Sequence, residues 1–306
     1  MYFVHMEASF APLDNSSYRW VMIFVKNRFH IPIIACAIFA GLIALNVPIS
    51  SAAGTSTKLQ RMTTFVGGDI HTLTFTKDGL FVTGHEGGSL STDQGVKWKS
   101  VGSFRNNDIM GWASTTSGYL AGGHNGLFKS NDKGKSFSRI SFYGAASDVH
   151  SLGATGKNVY MGSPQVGFLR STNSGKSWIV VNQKFGQEFM GSMLVDPANP
   201  LRVIAPDMNN GLVESNDGGK TWTRFGGPSS VMSVDWNPKN HKEIVALSMG
   251  VGAVTKDNGK TWSAFRVPMG SSAVAVSSDG LRLFVAVLAG DQAEIFGSAN
   301  MGKNWA

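Results

Sequence analysis

A short pattern, Ser/Thr-x-Asp/Asn-x-Gly-x-x-Trp/Phe, occurs six times and constrains the fold more than any other feature of this sequence. The six copies begin at Ser91, Ser130, Ser171, Ser215, Thr255 and Ser298. Their Asp or Asn positions lie 39, 41, 44, 40 and 43 residues apart. Repetition at such a near-constant period is typical of an array of one supersecondary unit.

Each residue type in the pattern has a role in a tight turn. The Asp or Asn side chain accepts hydrogen bonds from backbone N–H groups, and the Gly supplies a positive φ. The Ser or Thr hydroxyl caps the turn, and the aromatic ring folds back over the hairpin. Between turns lie short β-rich runs, which in the second unit cover residues 109–114, 119–123, 126–130 and 137–142. Four short strands per unit make a propeller blade, so the sequence predicts an all-β, six-bladed β-propeller.

The six turns resemble Asp-boxes, and the chain from Leu59 onward is similar to the Asp-box, or BNR-repeat, propellers. That superfamily includes sialidases, sortilin-type receptors and photosystem II assembly factors. The resemblance covers about four-fifths of the chain and implies the fold. It implies no single function, because Asp-boxes are structural turns.

The two ends of this region are expected to close the ring of blades. The sequence ends at Ala306, directly after the sixth box, so the sixth unit lacks an outer strand of its own. Residues 59–68 stand where an outer strand would be, ahead of the first inner strand. We expect them to complete the sixth blade, which would hide two sheet edges at once.

An uncharged apolar run over residues 31–49 predicts export. Lys26 and Arg28 precede it and small residues follow it at positions 50–54, as in a secretory signal peptide. The run is almost long enough to span a bilayer, so an uncleaved anchor with its positive end inside is the alternative. The expected organisation is an export segment over residues 1–53, with Met22 as an alternative translation start, and a propeller over residues 54–306. The propeller would be extracytoplasmic, either secreted or periplasmic, or anchored to a membrane through the N-terminal segment alone.

The charge distribution argues against a nucleic-acid partner. Lys and Arg number 27 against 20 Asp and Glu, which gives a formal net charge of +7. The box lysines recur at one position of the repeated turn, so their charge is spread around a rim and lines no groove with stacking aromatics. The only cysteine, Cys36, lies in the apolar run, so no disulfide can staple the fold.

Histidine and methionine recur at equivalent positions on the face opposite the Asp-boxes. This upper face carries the start of each inner strand and the end of each second strand. The inner-strand positions hold His71, Met110, His150, Met190, Met232 and Ala273. The second-strand positions hold His85, His124, Ser163, Met208, Met249 and Ala289. Gap-filling alone does not predict that four histidines fall at equivalent positions.

Imidazole with thioether and without thiolate indicates copper, because thioether favours Cu(I) and imidazole accepts both oxidation states. Zinc would prefer Cys, His or carboxylate. The predicted metal ligands are His71, His85, His124, His150, Met110, Met190, Met208, Met232 and Met249.

The predicted ligands should form two poles at the upper mouth of the channel. The four histidines are expected to converge beside Met110, with three ring nitrogens able to reach a common centre. Without such a centre, the scaffold described below would become the leading hypothesis. The other methionines are expected on the opposite side. Acidic residues two positions before the inner-strand slots are expected to orient the histidines from behind. These residues are Asp69, Asp108, Asp148 and Glu188.

Two other functions stay open. Methionine also fills irregular gaps and histidine also pairs with its neighbours, so the chain could be a scaffold that binds or assembles an extracytoplasmic protein without metal. A sialidase-like glycoside hydrolase is the second alternative. The resemblance implies an F/Y-R-I-P motif before the first box, but the nearest match, at residues 265–268, follows the fifth box. The sequence therefore leaves enzymatic activity open and identifies no catalytic residue.

Overall fold

The computed structural model describes residues 62–248 and 250–306, which form six blades around a central channel. The first strand is β1 (Met62–Phe65), and its partner comes from the other end of the chain. Blades 1 to 3 follow, and their strands run from the channel outward. Blade 1 contains β2 (Ile70–Thr76), β3 (Gly79–Gly84), β4 (Gly88–Ser91) and β5 (Lys99–Ser100); blade 2 contains β6 (Gly111–Thr115), β7 (Gly118–Gly123), β8 (Gly126–Ser130) and β9 (Ser138–Ile140); blade 3 contains β10 (Ser151–Thr155), β11 (Asn158–Ser163), β12 (Gly167–Ser171) and β13 (Ile179–Asn182).

The remaining blades repeat this order, with one irregular inner strand. Blade 4 contains the two short pieces β14 (Gly191–Ser192) and β15 (Leu194–Val195), then β16 (Val203–Asp207), β17 (Gly211–Ser215) and β18 (Thr223–Gly226); blade 5 contains β19 (Ser233–Asn237), β20 (Asn240–Ser248), β21 (Val251–Thr255) and β22 (Ser263–Arg266); blade 6 contains β23 (Ser271–Val276), β24 (Leu283–Ala289) and β25 (Gln292–Ser298). The piece β14 pairs in parallel with β10, while β15 pairs with β16. The predicted all-β, six-bladed propeller is confirmed.

The Asp-box turns have the predicted geometry in all six blades. In the second box, the Ser130 hydroxyl donates to Asp132 Oδ1 at 2.7 Å and accepts the N–H of Gly134 at 2.9 Å. The same carboxylate oxygen accepts the N–H of Ser136 at 3.0 Å. The Gly has a positive φ of 79° and packs against Phe81 of blade 1, where an added Cβ would lie 2.2 Å from the ring. The box is therefore a turn and also a contact with the preceding blade.

The hydrophobic core is divided among the interfaces between neighbouring blades. Phe81 of blade 1, for example, packs against Trp112 of blade 2 with ring centroids 4.3 Å apart. Six such clusters of buried residues alternate with the six blades around the ring. Burial of apolar side chains between blades is the main favourable term that holds the ring together.

Strand β1 closes the ring, as predicted for residues 59–68, of which the structure describes 62–68. It pairs antiparallel with β25, with Met62 opposite Ile295 and Phe65 opposite Gln292. Further along β25, Gly297 and Ala306 exchange two backbone hydrogen bonds of 2.9 and 3.0 Å. Two pieces of chain thus share the outer edge of blade 6, and little of that edge stays unpaired.

The predicted export segment over residues 1–53 and the alternative start at Met22 lie outside the described residues. Within residues 62–248 and 250–306, the only helix is a 3₁₀ turn, Gly102–Phe104, and no helix is long and apolar enough to cross a membrane.

Deleting residues 62–65 should expose the edge of β25 and cause self-association through unpaired backbone groups. Light scattering after size-exclusion chromatography should show oligomers or aggregates. The control, Thr63→Ala with Phe65→Ala, changes two exposed side chains but keeps the backbone pairing, so it should match the parent protein. A deletion variant as monomeric and stable as this control would contradict the closure.

The box carboxylates should titrate at unusually low pH. Hydrogen bonds from the side chain of the fourth following residue and from its backbone N–H lower the pKa of Asp132, Asp217 and Asp257 to about 2. Since the ordinary value is 3.8, this contribution to stability is complete above that pH and disappears as the pH falls towards 2. Ser136→Ala should raise the pKa of Asp132 and leave that of Asp257 unchanged in carboxyl NMR titrations. An unchanged pKa of Asp132 in this variant would show that the Ser136 hydroxyl does not lower it.

Candidate metal centre

The upper face brings four histidines and two aspartates together from three consecutive blades. His71 lies on β2, and His85 and His124 directly follow β3 and β7. Asp108 precedes β6, and Asp148 and His150 precede β10. The predicted convergence of the four histidines on one side of the channel mouth is therefore what the structure shows. This set is called the His/Asp array below.

Glycines at the ends of the second strands allow neighbouring blades to approach closely. Gly123 directly precedes His124, and a Cβ added there would lie only 1.6 Å from the backbone oxygen of Asp108. The carbonyl of Gly123 accepts the N–H of Val149, next to Asp148, at 3.1 Å. Because this position has no side chain, the loops that carry the array can meet.

The tightest part of the array consists of His124, Asp148 and His150. His124 Nδ1 lies 3.0 Å from Asp148 Oδ1, which lies 3.1 Å from His150 Nε2. The two ring nitrogens are 3.3 Å apart. These three atoms form a nearly equilateral triangle, and a point roughly 2.1 Å from each of them lies about 1 Å above its plane. That distance is the one at which zinc binds imidazole and carboxylate.

A second group consists of His71, His85 and Asp108. His71 Nε2 lies 2.9 Å from Asp108 Oδ1, and His85 Nδ1 lies 3.6 Å from Asp108 Oδ2. The same Oδ2 is 3.5 Å from Nε2 of His124, so Asp108 links the two groups. All candidate ligand atoms within each group lie within 4.8 Å of one another.

Two buried atoms of this second group lack a hydrogen-bond partner. Asp108 is 5 % exposed, and its Oδ1 and the Nε2 of His71 are unpartnered despite their separation of 2.9 Å. Their distance is short enough for a hydrogen bond, but their alignment is not suitable. A buried carboxylate in this condition is costly unless a cation compensates it.

The imidazole of His150 is biased towards its neutral form. Burial lowers its pKa, and this effect outweighs the nearby carboxylate of Asp148, which acts in the opposite direction. A neutral ring nitrogen is the form that binds a metal ion. The carboxylate of Asp148, 3.1 Å from Nε2 of His150, adds a negative charge that favours a cation at this position.

The structure corrects two expectations about the array. Each group contains two imidazoles and one carboxylate, so among the described residues three imidazoles do not meet at one centre. Asp108 and Asp148 lie between the rings and not behind them, because the inner-strand loops of adjacent blades interleave at the mouth. Asp69 stays 4.0 Å from His71 and is largely exposed.

The predicted methionines line a neighbouring pocket. Met110, Met190, Met208 and Met232 surround a cavity of about 160 Å³ together with His71. Met190, Met208 and Met232 come from blades 4 and 5, which lie across the channel from blades 1 and 2. The cavity extends to His71, so the two poles adjoin there. Met249 lies outside the described residues.

Sequence reasoning missed one polar residue of the channel. Asp235 lies on the inner strand of blade 5, near the end opposite the array, and borders the channel cavity of about 170 Å³. Asp235 is the one charged residue of its inner strand, Ser233–Asn237, and this was the available signal.

Comparison with protein families supports the type of propeller. The family model Sortilin-Vps10 (sortilin, neurotensin receptor 3) matches residues 167–267, about a third of the chain. Together with the six boxes, this match confirms the resemblance to the Asp-box propeller superfamily. No curated protein matches the sequence significantly.

Several solved propellers have a similar architecture at low sequence identity. A structure of the nidogen/laminin complex matches with a TM-score of 0.55 and 9 % identity, covering 78 % of this chain and 89 % of that chain. The WD40 propeller domain of Doa1 gives 0.54 and 13 %, covering 80 % and 97 %. The GH74 xyloglucanase from Xanthomonas campestris gives 0.53 and 13 %, covering 80 % of this chain and 54 % of the enzyme. This chain thus spans about half of that enzyme, and these likenesses show the fold alone.

Proposed function

We propose that this protein is a propeller that binds a divalent transition-metal ion between His124, Asp148 and His150. The observation that carries the proposal is the triangle of 3.0, 3.1 and 3.3 Å formed by their three ligand atoms. Two imidazoles and one carboxylate leave further coordination positions for water or another ligand, as in exchangeable metal sites.

Copper is the metal that we propose. For a given nitrogen and oxygen donor set, affinity among divalent ions rises to Cu(II) and falls again at Zn(II). The adjoining methionine pocket offers thioethers, which favour Cu(I), and His71 borders both sets of donors. Such a surface suits metal handling or metalloprotein assembly.

We also propose that the propeller works outside the cytoplasm. The support is the apolar run at residues 31–49, preceded by Lys26 and Arg28.

Protein binding is the second candidate function. Met208, Met232 and Met269 are 60 %, 42 % and 92 % exposed on the upper face. Exposed methionines form adaptable apolar surfaces that suit protein partners. Binding of a protein beside the array is compatible with a metal site, and without metal binding it would become the leading function.

Titration calorimetry with Cu(II) and Zn(II) tests the metal site. The purified protein should bind Cu(II) more tightly than Zn(II), and Asp148→Asn or His150→Ala should weaken both by about tenfold or more. His241→Ala, which removes a histidine on the opposite face, should leave both affinities unchanged. Equal affinities in the parent, Asp148→Asn and His150→Ala proteins would rule out this site.

A Cu(I) arm of the same experiment separates the two donor sets. Met208→Leu with Met232→Leu keeps the apolar volume but removes two sulfurs, so it should weaken Cu(I) binding and spare Cu(II) binding. If the double variant binds both Cu(I) and Cu(II) as tightly as the parent protein, these methionines serve packing or protein contact instead.

A further inference from the structure

The central channel opens at the lower face, on the side of the Asp-boxes, into a cavity of about 640 Å³. This cavity, the lower pocket, lies between the ends of inner strands and the turns that follow them in blades 1, 2, 3, 5 and 6. Residues that line both the channel and the lower pocket are Phe75, Ser114, Asp235 and Trp236. The volume is in the range of small-molecule sites.

The carboxylate of Asp235 is the distinctive polar group of this pocket. Its Oδ1 accepts the N–H of Trp236 and its Oδ2 accepts the N–H of Val276, both at 2.8 Å. These two bonds fix the carboxylate, and each oxygen keeps a further lone pair for a ligand.

No cationic side chain pairs with Asp235 among the residues that the structure describes. Lys77 also lines the pocket, but its Nζ lies 2.6 Å from Asp78 Oδ2, which also accepts the Tyr119 hydroxyl at 2.6 Å. The positive charge of Lys77 is therefore already compensated. Burial raises the pKa of Asp235 to about 7, and the two backbone hydrogen bonds offset this only in part.

Aromatic rings from two blades stand beside this carboxylate. Phe75 is held edge-on by Phe284 at a centroid distance of 5.2 Å, and Trp236 is held by the His241 ring at 4.4 Å. Rings of this kind attract cations over their faces and also accept apolar groups. The pocket thus combines an uncompensated carboxylate with apolar, aromatic walls.

We propose that the lower pocket binds a small organic cation, a primary ammonium group on an aromatic or apolar body. The ammonium would donate hydrogen bonds to Asp235, and the body would lie against Phe75 and Trp236. The carboxylate of Asp235 would repel an anion, and a neutral ligand would leave the charge of this carboxylate uncompensated. The proposal uses none of the residues of the His/Asp array and is independent of metal binding.

Calorimetry on the purified protein with 2-phenylethylamine as probe tests the proposal. The amine should bind, whereas 2-phenylethanol and 3-phenylpropionate, which have similar bodies without the positive charge, should bind at least about tenfold more weakly. Asp235→Asn should reduce amine affinity to that of the alcohol. Asp291→Asn, which changes an exposed carboxylate on the upper face, and His150→Ala should both leave the amine affinity unchanged. Equal binding of amine and alcohol by the parent protein would overturn the proposal.

The pH dependence of amine binding gives a second test, which can be made on the parent protein without any substitution. Only ionised Asp235 pairs with the ammonium group, so with a pKa of about 7 the affinity should rise about tenfold from pH 6 to pH 8. At pH 6, binding should release nearly one proton, which buffers of different ionisation enthalpy would reveal. The other titratable or charged groups on the loops of this mouth, among the described residues, are Lys77, Asp78, Tyr119, Lys157, Lys239, His241, Asp279 and Arg282. His241→Gln removes a contact of Trp236 and should weaken binding at every pH, but it should keep the shape of the pH profile. A flat profile in the parent protein or in this variant would contradict the role of Asp235.

Discussion

The pairing of β1 with β25 is the interaction on which the rest of the structure depends. It joins the beginning of the propeller to its last blade, so blade 1 packs against blade 6 through a shared cluster that includes Val66, Ile70 and Ile295. Without this contact the sixth inter-blade interface would be open, and the inner strands would no longer enclose a channel. The positions of the His/Asp array and of the lower pocket follow from that closed ring.

Most of the fold could be predicted from the sequence because its information is local and repeated. An Asp-box needs a hydroxyl, a carboxylate or amide and a Gly within five residues, as in Ser130, Asp132 and Gly134, so six copies identify six hairpins. The face that carries the histidines followed from strand order alone. The broken inner strand of blade 4 could not be predicted, because β14 pairs with blade 3 through contacts distant in sequence.

The chemistry of the site was less predictable than its location. Asp108 and Asp148 were recognised as neighbours of the slots, but their position between imidazoles depends on how closely two blades approach, which Gly123 decides. The role of Asp235 depends on its surroundings in the channel and not on a motif. As a result, the two ends of one channel differ: imidazoles, carboxylates and thioethers lie above, and a carboxylate without a cationic partner, Asp235, lies among aromatic rings below. Likeness to other propellers shows the fold, so function has to be argued from these two ends.

The central claim is that His124, Asp148 and His150 bind one transition-metal ion. X-ray absorption at the copper edge, with one equivalent of Cu(II) bound to the purified protein, tests this claim most directly. The account predicts a first shell of nitrogen and oxygen with the scattering pattern of two imidazoles, reduced to one imidazole in His150→Ala. A spectrum without imidazole scattering in the parent protein, or one that His150→Ala leaves unchanged, would contradict it.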